Sequence, residues 1–330
     1  MSILRPRLRS LKNALKRTFH RLLPKWLLGA LVRRTLPRTA TLEVTTACGL
    51  RCPLCPTHIR ERSSRFMKRS HLLDVLDACA SRLRWVSFHM QGEPLAHREL
   101  MDFVRTCSSR GIDTGFSTNG MLLGRNRDAL LDSDLGFVSI AIDGCDATDY
   151  AKYRQGGDFD VVVASTRDLI AERNRRGLTR PVIQLQTIMF PYNEAREEEV
   201  VAFLESFGSD EIRLKRPSYC AEGGGYEVPK NAHEFLELVG GERDDLHYAR
   251  SVVPEGELFR NRRLCPQLER TAVLSDGRVV ACCMDSTGET AFGDLGQESF
   301  KEIWQGPRHQ RLLEDFFTRR LGLCRFCDLS

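Results

Sequence analysis

The chain has 330 residues, 42% of them apolar, and no apolar run approaching the roughly 20 residues that cross a bilayer, so it reads as a globular protein of about two domain-sized units. Its net charge of +5 hides an asymmetry, because residues 1–40 carry eleven Lys or Arg and no Asp or Glu, which leaves the remainder acidic. Twelve cysteines without an export signal are better accounted for by metal binding or thiol chemistry in a cytoplasmic protein than by disulfides, which a reducing cytosol keeps rare.

Residues 1–40 predict one or two basic helices, with Leu11, Leu15, Phe19, Leu22, Leu23, Trp26, Leu27 and Leu31 at helical spacing and Pro24 bending or dividing them. Lys and Arg beside Leu, Phe and Trp suit a reversible contact at the periphery of an anionic membrane, and equally a solvated helix or a partner-docking segment. From Thr41 short apolar runs alternate with longer amphipathic ones. Strands are predicted near Thr41–Thr45, Trp85–Gln91, Thr114–Thr118, Phe137–Ile142, Val182–Met189 and Ile212–Lys215, with helical patterns between them. Six β-α units make an α/β fold, a partial (β/α)6 TIM-type barrel spanning 41–216 and open on one side. Its chemistry belongs on the loops at the strands' C-terminal ends. A less regular linker follows over 217–263. The last segment, 264–330, predicts a small β-hairpin and helix domain, with strands at Thr271–Ser275 and Val279–Cys283 around Asp276-Gly277.

Eight cysteines fall in two clusters, whereas Cys79, Cys107, Cys145 and Cys220 are scattered and read as small buried residues. In the loop after the first strand, Cys48, Cys52 and Cys55 form CxxxCxxC. A short irregular loop can wrap a cubane cluster, and three ligands leave one iron open. A zinc knuckle with His58 as fourth ligand is the competing reading. Gln91-Gly92-Glu93-Pro94 follows the second strand, Ser117-Thr118-Asn119-Gly120 ends the third, and Ala141-Ile142-Asp143-Gly144 ends the fourth, with Tyr150, Tyr153 and Arg154 beyond. Gln184 and Gln186 lie on the fifth strand, ahead of Asn193-Glu194.

This order of motifs resembles the radical S-adenosylmethionine (SAM) superfamily. The resemblance implies a [4Fe–4S] cluster on Cys48, Cys52 and Cys55 whose open iron chelates SAM, and reductive cleavage of SAM to a 5′-deoxyadenosyl radical. It also implies an electron donor such as flavodoxin or ferredoxin. Gly92 and Glu93 would receive the SAM ammonium, Ser117 and Asn119 the ribose, and Arg154 the carboxylate. Ala141 departs from the family's usual Ser. Asn193-Glu194 matches the family pattern loosely.

Cys265, Cys282, Cys283, Cys324 and Cys327 resemble the SPASM extension in its one-cluster form, twitch, which implies a second, auxiliary [4Fe–4S] cluster. Phe292-Gly293-Asp294-Leu295 and Glu298–Trp304 match that extension's intervening segments. Neighbours on a strand point to opposite faces, so only one of Cys282 and Cys283 should ligate, and the spacing from Gly277 favours Cys282. A four-cysteine zinc ribbon has the same local spacing. The expected activity is hydrogen abstraction from a small polar substrate, a sugar, aminocyclitol or glycan-like molecule, ending in dehydrogenation or epimerisation. The alternatives are a peptide maturase and, outside catalysis, a zinc protein binding nucleic acid through its basic tail. Few aromatics interleave that tail, so nucleic acid is not the expected partner.

Overall fold

The computed structural model describes residues 29, 32–53, 55, 57, 63, 65–215, 269–318 and 320–321. Cys220, Cys265, Cys324, Cys327, His58 and nearly all of the basic segment lie outside the described residues.

Strands β1 (Thr39–Leu42), β2 (Trp85–Ser87), β3 (Asp113–Thr118), β4 (Phe137–Ala141), β5 (Val182–Ile188) and β6 (Glu211–Lys215) are the six expected ones. They pair in parallel, and the described sheet runs β6-β5-β4-β3-β2-β1 before continuing. Period-two alternation decides its faces. Ala40, Leu42, Val86, Phe88, Phe116, Val138, Ile140, Ile183 and Leu185 are buried against the helices. The residues between them turn to the inner hollow, where Ser139 Oγ donates to Gln184 Oε1 (3.1 Å) and Gln184 Nε2 donates to Glu211 Oε2 (2.8 Å).

The outer layer holds α1 (Arg69–Ala78), α2 (Leu100–Ser108), α3 (Leu123–Leu131), α4 (Ala147–Tyr153), α5 (Phe159–Arg175), the short α6 (Pro191–Glu194) and α7 (Glu197–Glu205). Asp146 caps α4 by accepting from Asp149 N (2.9 Å), and Asp158 caps α5 by accepting from Val161 N (3.1 Å).

The sheet continues through the C-terminal segment: β7 (Arg270–Val273) pairs in parallel with the free side of β1, and β8 (Arg278–Val280) and β9 (Gly293–Asp294) add antiparallel strands. The hairpin closes over Leu274–Gly277, with Gly277 N donating to Leu274 O (2.9 Å). Gly277 has φ +98, and a Cβ there would stand 2.6 Å from His71 Cε1, so glycine is required on both counts. Helix α8 (Phe300–Gln305) begins in a capping box of Ser299 and Glu302 and is joined to α9 (Pro307–Phe317). Phe300 N donates to Asp74 Oδ2 (2.9 Å), tying α8 to α1.

Several strands end earlier than expected, β2 at Ser87 and β7 at Val273 among them, and for two others the reason is local. β1 stops at Leu42 because Thr45 and Thr46 turn to the returning chain, Thr45 Oγ1 donating to Arg65 O (2.7 Å) and Thr46 Oγ1 to Ser63 O (2.9 Å). β8 stops at Val280 because the Ala281 amide donates to Thr290 Oγ1 (3.0 Å). Cys282 and Cys283 therefore lie beyond the strand, and strand alternation does not decide between them.

Candidate active site

The CxxxCxxC loop leaves β1 and is drawn closed at its neck. Thr45 bridges Phe66, Met67 N donates to Val44 O (2.8 Å), and Arg65 N donates to Thr46 Oγ1 (2.9 Å). Above this neck the three sulfurs sit beside Leu50, Tyr153 and Phe190, with Met121, Ile188 and Tyr192 packed around them. Leu50 N donates to Cys48 Sγ (3.4 Å), Asn119 Nδ2 donates to the same sulfur (3.5 Å), and Arg154 reaches Cys52 Sγ (3.8 Å). Burial pushes the Cys52 thiol up to about 11, opposed by the Arg154 cation, and burial likewise raises Cys48. Cys48 and Cys52 each feel the charge of Cys55, so the three thiols are neighbours. Soft donors on one loop, with N–H groups and a cation ready to offset thiolate charge, fit an iron–sulfur cluster.

The loop after β2 lies directly on the cysteine loop. Gly92 has φ +72, and a Cβ would fall 2.3 Å from Thr45 O. Glu93 N donates to Ala47 O (2.7 Å). The Glu93 carboxylate, 3% exposed, accepts from Leu95 N (3.1 Å), Thr118 Oγ1 (2.7 Å) and Asn119 N (2.7 Å), and burial raises its pKa. It ties together the loops after β2 and β3, and one acceptor position is left for an ammonium.

Ser117 faces the hollow from β3 and is half-buried. Asn119 lies beside the cysteine loop, its Oδ1 accepting from Met121 N (3.0 Å) while its amide N–H donates to Cys48. Arg154 is held by Asp143, whose Oδ2 it meets at 2.5 Å while Asp143 Oδ1 accepts from Ile188 N (2.6 Å). Asn193 is spent on its own turn, accepting from Phe190 N (2.6 Å) and donating to Ile188 O (3.1 Å).

At the second cysteine group, Met284 N donates to Cys282 Sγ (3.5 Å), the same two-residue arrangement that Leu50 makes on Cys48. Cys283 packs instead against Ala272, Leu274 and Val280 beside Met90. A grouping that motif reading missed, Cys145, Asp146 and Asp149, brings its ligand atoms within 4.8 Å. Arg196 already bridges both carboxylates (2.7 and 3.0 Å).

Comparison with known proteins accords with this geometry. The profile of the Radical SAM superfamily matches residues 42–204, and that of the SPASM iron–sulfur cluster-binding domain matches residues 265–328. The chain is 30% identical over 266 residues to a GTP 3′,8-cyclase of Chlorobaculum tepidum, covering 73% of this chain and 77% of that one. It is 27% identical over 311 residues to the mycofactocin maturase MftC of Mycolicibacterium smegmatis, covering 88% and 75%. It is 34% identical over 116 residues to a PqqA peptide cyclase of Rhodopseudomonas palustris, covering 34% of this chain and 30% of the relative. Among solved structures, Streptococcus suis SuiB bound to precursor peptide SuiA superposes with a TM-score of 0.61 at 14% identity, covering 97% and 76%. The chain belongs to the radical SAM superfamily and carries a SPASM iron–sulfur cluster-binding domain at its C-terminal end.

Proposed function

We propose that this radical SAM enzyme removes a hydrogen atom from a residue of a peptide, in place of the sugar, aminocyclitol or glycan-like substrate expected from the sequence. The observation that carries the reading is the match to the mycofactocin maturase through 88% of the chain, supported by the PqqA peptide cyclase as a second relative. Superfamily membership sets the zinc reading aside. It brings a [4Fe–4S] cluster and SAM, and the SPASM domain brings auxiliary cluster binding.

In this reading Cys48, Cys52 and Cys55 hold the SAM-binding cluster, which supplies the electron that opens SAM to a hydrogen-abstracting radical. Arg154, fixed by Asp143, receives a carboxylate, while Gly92 and Glu93 receive an ammonium. Leu50, Tyr153 and Phe190 keep water from the sulfurs. Cys282, whose sulfur accepts from Met284 N while Cys283 packs against the apolar cluster, joins Cys265, Cys324 and Cys327 at the auxiliary cluster. The domain division follows the sequence reading, with the barrel over 41–216 and the cluster domain over 264–330. The reductant is of the flavodoxin or ferredoxin class. Among the described residues no helix is long and apolar enough to cross a membrane.

The test is anaerobic turnover with SAM and dithionite in the presence of a pool of synthetic peptides or a pool of aminocyclitols and hexosamines. Release of 5′-deoxyadenosine above the substrate-free rate with peptides alone is the expected result. Stimulation by the sugar and aminocyclitol pool alone overturns the reading.

A further inference from the structure

The two limbs of the cysteine loop are gripped by successive residues of the segment after β2. On the limb that enters from β1, Ala47 O accepts from Glu93 N (2.7 Å), and Gly92 lies so close that a Cβ would fall 2.3 Å from Thr45 O. The limb that leaves after Cys55 carries Thr57, a residue of none of the motifs, which is 7% exposed. Its hydroxyl makes two contacts of opposite sense: Oγ1 accepts from Gly92 N (3.2 Å) and donates to Gln91 Oε1 (2.9 Å). A hydroxyl has a single proton, so donation to Gln91 fixes its rotor and turns a lone pair to the Gly92 N–H.

The consecutive N–H groups of Gly92 and Glu93 are thereby anchored on opposite limbs of one loop. Both peptide bonds are trans, and a planar trans peptide sets its C=O opposite to its N–H. The Gln91 carbonyl therefore turns away from Thr57, and the Gly92 carbonyl away from Ala47. No backbone N–H of the described residues donates to either oxygen. Two carbonyls next to the Glu93 carboxylate make a set of acceptors suited to the N–H groups of a primary amine.

We propose that Thr57 is a positioning residue for the amino group of SAM: it sets the peptide plane before Gly92, and with it the acceptors offered beside Glu93. Gln91 holds the Thr57 hydroxyl in the rotor that does so. The inference rests on the assignment of the amino group to Gly92 and Glu93 made above, and not on the peptide reading. Without the hydroxyl, the Gly92 N–H loses its acceptor and the peptide plane turns to find another. The amino group then loses its partners, while contacts to the rest of SAM are unchanged.

The test is equilibrium dialysis of two stable ligands against the intact, cluster-loaded protein. One is S-adenosylhomocysteine, and the other is the same thioether with hydrogen in place of its amino group. Both lack the sulfonium, so binding is read without turnover and with no peptide present. Thr57→Val keeps the side chain's shape, and should weaken S-adenosylhomocysteine about tenfold and the deaminated ligand less than about twofold, with bound iron unchanged. Gln91→Met should act in the same direction by about threefold. Thr57→Ser retains the hydroxyl, and should bind S-adenosylhomocysteine within about twofold of the parent.

Equal weakening of both ligands by Thr57→Val, or of neither, overturns the proposal, as does failure of Thr57→Ser to restore binding. If Thr57→Val loses iron, Gln91→Met decides: selective weakening of the aminated ligand supports the proposal, and parental affinity for both overturns it. Glu93→Gln separates this inference from the assignment beneath it. If Glu93→Gln weakens only the aminated ligand while Thr57→Val spares both, the assignment stands and the role of Thr57 falls. If neither variant discriminates between the ligands, the assignment falls and the proposal with it.

Discussion

The carboxylate of Glu43, fully buried at the end of β1, accepts both the backbone N–H (3.0 Å) and the hydroxyl (2.8 Å) of Ser275 in the hairpin turn after β7. The pair joins the strand that leads to Cys48 with the hairpin that leads to Cys282. Hydrogen bonds to a charged group contribute about 1.5–3 kcal/mol each, and a buried partner left bare costs more than the bond itself returns. Glu43→Ala should destabilise the protein by roughly 2–5 kcal/mol, and Glu43→Gln by less, since its amide oxygen still accepts. Urea unfolding of anaerobically purified variants measures this. Stability of Glu43→Ala within about 0.5 kcal/mol of the parent would show that the contact holds nothing.

Asp143 and Arg154 form a buried pair beside Cys52, with side chains 0% and 13% exposed. Removing one partner of such a pair costs about 3–5 kcal/mol because the other charge is stranded. Arg154→Leu should therefore be strongly destabilised, and the Asp143→Asn, Arg154→Leu double variant should recover more than half the loss. The double-mutant cycle separates this from a packing defect, for which the two losses would simply add.

Cys48→Ala, Cys52→Ala or Cys55→Ala should each abolish 5′-deoxyadenosine formation and lower bound iron by about half, because one of two clusters lacks a ligand. Asn119→Ala should keep its iron, but lower the reduction potential of the SAM-binding cluster. The amide N–H that favours extra negative charge on the Cys48 sulfur is then gone. An unchanged potential by spectroelectrochemical titration counts against the Asn119 contact.

His309, 3% exposed, stacks on Phe292 (4.6 Å between ring centroids) and lies against Trp304, with Nδ1 2.6 Å from Trp304 O. Burial lowers its pKa to about 4 from the ordinary 6.5. Between those values the unfolded chain binds the proton and the folded chain does not, so stability rises with pH. The contribution is fully present above about pH 6.5 and is lost as pH falls toward 4, a span on the order of 3 kcal/mol. His309→Gln should flatten this part of the acid limb when stability is followed from pH 7 to pH 4. An acid limb of unchanged slope would locate the sensitivity elsewhere.

The sequence made the outer face of the sheet legible, because Val86, Val138, Ile140, Ile183 and Leu185 alternate with polar neighbours whatever the curvature. It also placed the cysteine loop, since CxxxCxxC is local. It was less informative wherever a side chain, rather than spacing, decides the outcome. Thr45 and Thr46 end β1 early through Arg65 and Ser63, and Thr290 takes the amide that would have carried β8 to the cysteines. The contact of the Asn119 amide with the Cys48 sulfur was not legible in Ser-Thr-Asn-Gly, because the bond from Met121 N, and not the spacing, sets it.

The parallel seam between β1 and β7 sets an order of events during synthesis. Contacts across it span up to 232 residues. At roughly 5–20 residues per second, β1 waits on the order of ten to fifty seconds after emerging before its second neighbour exists. Throughout that interval one side of the oldest strand presents unpaired N–H and C=O groups, a template for pairing with another nascent chain. Shortening the gene before codon 270 would make that transient edge permanent, so the barrel released alone should self-associate where the full chain does not.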